Sequence, residues 1–400
     1  MKIILFANPD FFGGQNRPGF SSMPRFTNMI AEGMKQRGHD VSIWQPKSKF
    51  SLLKTPRVLK KWLGYIDQYV VFPTNIGKFV KDCDEDTLFV FTDQAQGPWV
   101  PLVANRCHLI HCHDFLAQAS AQGKIPENKT GLSGRIYQKF ILDGLSKGKK
   151  FIAVSHKTRA DLHQLLLNRQ ISSTVIYNGL DPIYKPVDLL HARNILAKET
   201  NLYLGDGFLL HVGNNQWYKN RTGVIEIYNS WRDKYEHKLP LLLIGDKPSD
   251  ELIAVYNRSV YKNDIYVLNG LSDEMVNFAY ASASVFIFPS LAEGFGWPIA
   301  EAMACGCPVV TTGEAPMTEV AGDAAFYIPR RPAQPQLMKS WAIESAKVIS
   351  HVIGLTHAER DWVVQAGIAN AARFNLEKSL NDIENVYLSA INRHVSTAAL

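Results

Sequence analysis

The feature that most constrains this chain is a repeated alternation of short apolar runs with stretches of helical periodicity. Runs rich in β-branched residues are typical of buried strands, and the segments between them place apolar residues three and four positions apart. This alternation predicts an α/β protein with parallel sheets, because parallel strands need a helical crossover between them. The first half has six such runs, at 2–7, 41–44, 88–92, 109–112, 151–154 and 174–177.

A segment dense in turn-forming residues interrupts this alternation at 178–186, where the sequence is NGLDPIYKP. We interpret it as a linker between domains. The alternation restarts after it, with strands expected at 208–212, 239–244, 265–268, 285–289 and 308–311. We therefore predict domains at 1–180 and 181–375, followed by an amphipathic helix at 376–400 that packs back towards the first domain.

Composition excludes several classes of protein. Of the 400 residues, 46% are hydrophobic and 20% are charged, which is typical of globular rather than disordered chains. The five cysteines form no disulfide framework, which favours a reducing compartment. We expect neither a signal peptide nor a membrane-spanning segment, so the predicted location is the cytoplasm.

The net charge of +6 is unevenly distributed along the chain. Residues 1–180 carry 24 Lys+Arg and 13 Asp+Glu, whereas residues 181–400 carry 19 and 24. A basic half joined to an acidic half predicts that the first half meets an anionic partner. The candidates are a membrane surface, a phosphate-bearing acceptor or nucleic acid, and no nucleic-acid motif supports the last of these.

The most informative stretch is 286–310, FIFPSLAEGFGWPIAEAMACGCPVV, which predicts a strand, a glycine-rich loop, a helix and a second strand. Ligands of open α/β sheets bind at the carboxyl ends of strands. Gly294 and Gly296 permit close backbone approach, and Pro298 suits a first helical turn. We expect Glu293 on the loop and Glu301 in the first turn, where carboxylates suit sugar and ribose hydroxyls. The alternative is a solvated glutamate and a partner of the helix dipole.

Two glutamates separated by seven residues in this context resemble the signature of retaining glycosyltransferases of family 4, the group 1 glycosyl transferases. Further matches to this family lie in order along nearly the whole chain, at 13–14, 37–41, 113–114, 152–155, 178–181, 212–213, 219–220 and 319–325. The pieces at 219–220 and 322–325 are most similar to the mannosyltransferase-like branch. The resemblance implies the GT-B fold, an α/β architecture of two Rossmann-like domains facing each other across a cleft. It also implies that the first domain binds the acceptor and the second the nucleotide-sugar.

The resemblance further implies which residues bind the donor. Glu293 would orient the sugar, Glu301 would hold the ribose, and the backbone near Gly14 would meet the phosphates. The full implied set is Gly13, Gly14, Asn214, Lys219, Glu293, Gly294, Phe295, Gly296, Trp297 and Glu301. The chain departs from the family at Asn214, where an arginine is frequent, and at Trp297, where an aliphatic residue is common. Arg221 is the candidate to replace the missing arginine.

A departing diphosphate gathers negative charge, so a cation must stabilise it. Lys219 can supply that charge without a metal, although a solvated surface lysine is the alternative. The acidic run at 82–86 contains Asp-x-Asp patterns, but it precedes a strand instead of following one, so we interpret it as a solvated turn. We therefore predict no metal ion and no cofactor.

His113 and Glu293 are the predicted catalytic residues. The resemblance implies that His113 lies near the sugar and the acceptor oxygen, where it would be the closest pH-sensitive group. Two alternatives remain for this region. His111 and His113 could be partly buried strand residues, or a zinc ion could be bound by a set whose spacing fits no standard signature: Cys107, His108, His111, Cys112 and His113.

Residues 47–63 interleave basic and large apolar side chains. This pattern is typical of a segment that binds an anionic membrane surface, and equally of a helix with a solvated basic face. The predicted function is transfer of a hexose, with retention, from a nucleotide-diphospho sugar to a glycan or lipid-linked acceptor, in the cytoplasm or at the inner face of the membrane. A non-hydrolysing nucleotide-sugar epimerase of the same fold and a non-catalytic nucleotide-sugar binding module are the alternatives.

Overall fold

A computed structural model describes residues 1–9, 22–236 and 238–398 of the chain. These residues form two compact units, each built around one parallel six-stranded sheet. The predicted α/β class with two parallel sheets is therefore confirmed. The first unit comprises the described parts of Met1–Ile125 and Lys129–Tyr177 and the residues from Glu377 onward, and the second comprises Pro126–Asn128 and Asn178–Leu376.

The first sheet has the strand order β2-β1-β3-β4-β5-β6. Its strands are β1 (Lys2–Phe6), β2 (Asp40–Trp44), β3 (Leu88–Phe91), β4 (His108–Cys112), β5 (Lys150–Ala153) and β6 (Ser172–Val175). The helices of this part of the chain are α1 (Ser22–Gln36), α2 (Arg57–Ile66), α3 (Phe72–Asp82), α4 (Leu116–Ala121), α5 (Leu132–Leu145) and α6 (His156–Leu165). A π-helical turn, Asp67–Val71, joins α2 to α3, and a 3-10 segment, Gln94–Val103, follows β3.

Aromatic residues on one face of this sheet form its core. Phe6 stacks on Phe91 with ring centroids 4.5 Å apart, and Trp99 packs against Phe72 at 4.7 Å. All four side chains are almost completely buried. Burial on both faces explains why these strands are continuously apolar instead of alternating.

The second sheet has the order β12-β11-β10-β7-β8-β9. Its strands are β7 (Leu209–Gly213), β8 (Leu241–Gly245), β9 (Ile265–Leu268), β10 (Val285–Phe288), β11 (Val309–Thr312) and β12 (Phe326–Ile328). The helices are α7 (Leu189–Thr200), α8 (Arg221–Lys234), α9 (Asp250–Arg258), α10 (Asp273–Ser282), α11 (Trp297–Ala304), α12 (Met317–Ala321), α13 (Pro335–Ile353) and α14 (His357–Ala371). Trp231 and Tyr228 of α8 are completely buried in its core.

The last helix, α15 (Leu376–Ala398), packs on the first unit. Tyr387 reaches the sheet, where its hydroxyl and His111 Nε2 lie 2.8 Å apart. Arg37 pairs with Glu377 at 2.6 Å. A side chain at Gly33 would place a Cβ 2.6 Å from Leu380, so the helix surface of α1 has a glycine where α15 crosses it.

Most sequence-based boundaries agree with the structure to within one or two residues, which is the usual uncertainty of helix and strand ends. Ser155 caps α6, and its side chain accepts a hydrogen bond from the Thr158 backbone. Strand β12 was missed because it has only three residues and lies at the sheet edge. None of the described helices combines the length and the apolarity that crossing a bilayer requires.

Candidate active site

The second sheet changes its direction of winding between β7 and β10. From β7 the chain continues to β8 and β9 on one side, then returns to β10, β11 and β12 on the other. The loops that leave two such neighbouring strands diverge and open a crevice at the carboxyl edge of the sheet. Segments 214–220 and 289–296 are those two loops.

The segment 286–310 folds as the sequence predicts: β10 is followed by a loop, helix α11 and strand β11. Gly296 ends the loop with φ +108°, a left-handed conformation that side chains with a Cβ rarely adopt. Helix α11 therefore begins at Trp297, with Pro298 in its first turn. Phe295 is buried and anchors the loop edge-to-face on Phe374, with ring centroids 5.3 Å apart.

The structure brings together two of the predicted residues, Lys219 and Glu293. Lys219 Nζ lies 2.8 Å from Glu293 Oε1, and the two side chains are only 11% and 8% exposed. Ser290 donates a second hydrogen bond to the same oxygen at 2.8 Å. Among the described residues nothing donates to Oε2 of Glu293. A buried ion pair with a spare carboxylate oxygen is thus placed in the crevice.

Local geometry presents Lys219 to this crevice. The 3-10 turn Trp217–Lys219 is followed by Asn220 at φ +51°, and α8 begins at the next residue. Asn220 donates to the carbonyl of Pro289 at 2.9 Å, which ties the two loops together. The Lys219 ammonium also lies over the Phe288 ring, 4.9 Å from its centroid, in a cation–π contact.

Glu301 does not occupy the predicted first turn of α11. Because the helix begins at Trp297, Glu301 is its fifth residue and lies one turn further in. It is buried, and Oε2 accepts a hydrogen bond from the Tyr280 hydroxyl at 3.1 Å. Burial, followed by the charge of Glu301, raises the pKa of Tyr280 well above its ordinary value, so this tyrosine stays a donor.

Asn214 and Arg221 occupy different environments. Asn214 is exposed, and its side chain accepts from the backbone of Gln216 at 3.1 Å, which forms a local turn. Arg221 is buried at the start of α8, and it donates to Asn215 Oδ1 at 2.6 Å and to the Asp246 carbonyl at 3.1 Å. Arg221 therefore holds together the loops after β7 and β8. Its Nε and Nη2 have no hydrogen-bond partner among the residues that the structure describes.

His211, in β7, is a residue that the sequence analysis did not single out. Its Nδ1 lies 2.9 Å from the carbonyl of Ile287, so it joins β7 to β10 beneath the ion pair. Complete burial lowers the pKa of His211 to about 3, and the nearby charges of Arg221 and Lys219 act in the same direction. A neutral histidine here adds no positive charge to those of Lys219 and Arg221 nearby. The position of His211 between β7 and β10 follows from the pairing of these strands, which no local sequence pattern shows.

His113 lies in the first unit, directly after β4. It is buried, its backbone donates to Gln94 Oε1 at 2.8 Å, and Nε2 donates to the Thr92 carbonyl at 2.9 Å. Burial lowers the pKa of His113, and Asp93 and the Thr92 carbonyl oppose that effect. The ring also contacts Phe26 edge-to-face at 4.5 Å, so its orientation is fixed from two sides.

Asp93 and Asn8 are further polar residues that the sequence analysis missed. Asn8 follows β1 and Asp93 follows β3, and Asn8 Nδ2 donates to Asp93 Oδ2 at 2.6 Å. Asp93 is 6% exposed and also accepts from the Ala95 backbone. Their position directly after two apolar runs, in FANPD and FTDQ, was the signal available in the sequence.

The remaining predicted residues fall into four groups. Gly13 and Gly14 lie outside the described residues. Gly294, next to Glu293 on the loop, and Trp297, the first residue of α11, are both partly buried. For the zinc alternative, the described part of the chain contains no group of three or more potential metal ligands, because side chains alternate between the two faces of β4. Asp84, in the acidic turn, pairs with Lys2 at 3.4 Å.

Comparison with known protein families gives two matches that together span most of the chain. The model for "Glycosyltransferase Family 4" matches residues 23–183, and the model for "Glycosyl transferases group 1" matches residues 192–338. The chain belongs to the group 1 glycosyltransferases. Within them it falls in the mannosyltransferase-like branch, as its sequence predicted.

Among curated members of this family, the O-antigen chain mannosyltransferase B of Escherichia coli is 27% identical over 259 residues. That region is 63% of this chain and 64% of the relative, so the match spans less than two thirds of the relative's length.

Solved structures share the fold over nearly the whole chain. Sucrose-phosphate synthase of Thermosynechococcus elongatus has a TM-score of 0.75 at 16% identity, with 98% of this chain and 100% of that one covered. HepE of Anabaena, in complex with UDP and glucose, has a TM-score of 0.70 at 18% identity, with 97% and 100% covered. The predicted GT-B fold is therefore confirmed for this group 1 glycosyltransferase.

Proposed function

We propose that this chain is a retaining glycosyltransferase that moves a hexose, specifically mannose, from a nucleotide-diphospho sugar to a glycan or lipid-linked acceptor. The observation that carries the proposal is the buried Lys219–Glu293 pair at the switch point of the second sheet. Membership of the family supports transfer, and the E. coli mannosyltransferase supports mannose as the sugar. The product would belong to polysaccharide or glycolipid synthesis.

In the proposed reaction an acceptor hydroxyl oxygen attacks the anomeric carbon from the face on which the diphosphate leaves. The bond between the anomeric carbon and the phosphate oxygen breaks, and the new glycosidic bond forms on the same side. The acceptor proton passes to the departing phosphate oxygen, which gives a glycoside of retained configuration and a nucleoside diphosphate. The transition state resembles an oxocarbenium ion, as in glycoside hydrolysis.

Lys219 is the proposed cation for the leaving diphosphate. Its ammonium has three N–H donors and uses one for Glu293, so it can bind phosphate oxygens without releasing its carboxylate partner. A cation in a largely water-excluded crevice stabilises developing charge far more strongly than one in water. We propose on this basis that the reaction needs no metal ion.

Glu293 is the proposed ligand of the donor sugar. Oε1 is occupied by Lys219 and Ser290, so Oε2 is the oxygen that would accept from sugar hydroxyls. Glu301 would hold the ribose, the role that the family resemblance implies. His113 would lie near the sugar and the acceptor oxygen, and in the neutral ring its Nδ1 is the nitrogen with the lone pair.

A donor panel tests the proposal directly. Nucleotide release from GDP-mannose, UDP-glucose and related donors should identify one donor, and that nucleotide should raise the melting temperature by mass action. NMR of the product should show the anomeric configuration of the donor, whereas inversion would contradict the proposed chemistry. Isomerisation of the donor without any acceptor would favour the epimerase, and binding without turnover would favour the non-catalytic module.

We also propose that the protein works in the cytoplasm, bound to the inner face of the membrane. Residues 47–66 carry six Lys or Arg and no acidic residue. Residues 129–142 carry three Lys or Arg and likewise no acidic residue. The structure places these segments side by side, because Tyr65 of α2 stacks on Tyr137 of α5 with centroids 5.4 Å apart. Trp62 is 59% exposed and Ile136 is 61% exposed on these two helices.

Exposed large apolar side chains amid basic residues suit an anionic bilayer, because the apolar side chains can insert among the acyl chains and the anionic headgroups attract the basic residues. We expect co-sedimentation with phosphatidylglycerol vesicles and much less with phosphatidylcholine vesicles. Trp62→Ala should reduce it several-fold. Trp362→Ala is the matched control, because Trp362 is 68% exposed on α14 of the other unit. Equal binding by both variants would exclude this surface.

A further inference from the structure

The first sheet has a switch point of its own, between β1 and β3. From β1 the chain goes to β2 on one side, and from β3 it continues through β4, β5 and β6 on the other. The carboxyl ends of β1 and β3 are therefore the place in this unit where the fold opens a crevice. Asn8 and Asp93, each two residues past the end of its strand, lie there.

Polar side chains form a hydrogen-bond network at this switch point. Asn8 connects Asp93 to Gln96: its Nδ2 donates to Asp93, and its Oδ1 accepts from Gln96 Nε2 at 3.2 Å. Gln96 also reaches Thr92 Oγ1 at 3.4 Å, and that hydroxyl donates to the Phe6 carbonyl. The network thus fixes the direction of the Asp93 carboxylate relative to both strands.

The network is electrostatically incomplete. Asp93 is 6% exposed, and no Lys or Arg of the described residues pairs with it. In the described part of the chain no donor reaches the buried Oε1 of Gln96. A buried carboxylate without a cation and a buried amide oxygen without a donor both cost stability, so a fold retains them where a ligand completes them.

We propose that Asp93 and Asn8 bind hydroxyl groups of a carbohydrate acceptor. An ionised carboxylate is an acceptor only, and a sugar offers vicinal hydroxyl donors without bringing a compensating charge. Asn8 can both donate and accept, which suits hydroxyls of either orientation. In this role the Asp93 carboxylate only accepts hydrogen bonds from the sugar hydroxyls. The inference rests on the proposed function for the identity of its ligand as the acceptor.

The test compares two buried aspartates of the same unit. Asp93→Asn keeps the shape and removes the charge. Asp67→Asn is the control, because Asp67 is 1% exposed and is bound by the backbone N–H groups of 49–51 and by the Ser51 hydroxyl. Asp67 therefore has a purely structural set of partners. Melting temperatures establish that both variants fold.

With the donor that the panel identifies, the measured quantity is the ratio of sugar transfer to a methyl hexopyranoside over transfer to water. Asp93→Asn should lower this ratio about tenfold to a hundredfold and raise KM for the glycoside, which is the effect of losing a hydrogen bond to a charged group. Donor hydrolysis and nucleotide affinity should not change. Asp67→Asn should leave the ratio intact. Equal loss of transfer and hydrolysis, or no change in the ratio, would overturn the proposal.

Saturation-transfer NMR with a panel of methyl hexopyranosides provides a readout that needs no turnover. Wild-type protein should transfer saturation to at least one glycoside, and Asp93→Asn should not. This result would uphold the carbohydrate site even if no donor were turned over, in which case the proposed function alone would fail. Absence of any signal with wild-type protein, or an equal signal with the variant, would refute the site.

Discussion

The two sheets place different chemistry at equivalent points of their topology. At the switch point of the second sheet a lysine and a glutamate neutralise each other, and Ser290 adds a hydrogen bond. At the switch point of the first, Asp93 is held by an amide and a backbone N–H, and no Lys or Arg of the described residues neutralises its charge. The first arrangement suits a ligand that carries phosphate charge and hydroxyls together. The second suits a neutral ligand rich in hydroxyls.

The same comparison extends to the histidines nearby. His211 in the second unit is neutral and bridges two strands below the ion pair, so it has a structural position. His113 in the first unit lies directly at the strand end, next to Asp93, and its pKa depends on burial and on that carboxylate. Of these two histidines, His113 is therefore the one that we expect close to the proposed reaction.

The largest effect should come from Glu293→Ala. Removing the carboxylate takes away the proposed sugar ligand and leaves Lys219 buried without its partner. We expect turnover to fall by about 10³-fold or more, and the melting temperature to fall because an orphaned buried charge costs about 3–5 kcal/mol. Nucleotide release measures the turnover, and thermal melts measure the change in melting temperature. The exposed Glu344→Ala on α13 is the control, and near-normal turnover in Glu293→Ala would remove this residue from the mechanism.

Lys219→Ala should act mainly on the diphosphate. We expect the affinity for the nucleoside diphosphate to fall about a hundredfold, since a buried cation that faces phosphate is lost. Isothermal titration calorimetry measures this, with the exposed Lys347→Ala as control. Unchanged affinity would mean that the second switch point binds its ligand without this charge, and the contrast between the two units would disappear.

His113→Asn should separate the two units most clearly. Because His113 belongs to the first unit, we expect the transfer rate to fall about tenfold to a hundredfold while nucleotide affinity stays the same. His108→Asn, at a buried residue of the preceding strand β4, controls for packing. A matching loss of nucleotide affinity in His113→Asn would show that its effect lies on the donor instead.

Acid should destabilise both units in the same way. Burial lowers the pKa of His111 in the first unit and of His211 in the second to about 3, from an ordinary value near 6.5. The unfolded chain then binds more protons than the folded one between these values, so stability is present above about pH 6.5 and is lost as the pH falls towards 3. We expect each histidine to contribute a few kcal/mol to this loss of stability. Urea unfolding as a function of pH measures it, and His211→Asn should flatten the dependence.

The smallest expected effect is that of chelation. Because we propose that Lys219 takes the role of a divalent cation, we expect EDTA to leave the rate unchanged. Loss of activity that Mn²⁺ restores would contradict the metal-free proposal and would place the decisive charge outside both switch points.

Much of the fold and part of the candidate site could be predicted from the sequence because these features depend on local patterns. Apolar runs separated by helical periodicity determine two parallel sheets, since a strand buried on both faces must be continuously apolar. Gly296 and Pro298 determine where the loop ends and the helix begins, through backbone conformation alone. The glutamate spacing then identifies the family, which the comparisons confirm.

Tertiary structure alone decided which of these residues meet. Lys219 and Glu293 are 74 residues apart, and only the adjacency of β7 and β10 brings their side chains to 2.8 Å. Asn8 and Asp93 are 85 residues apart, and the bond between them depends on the pairing of β1 with β3. Strand order is set by how crossovers pack over a whole sheet, and no local pattern encodes it. The sequence therefore determined the elements and the family, whereas the sheet topology decided the partners of each charge.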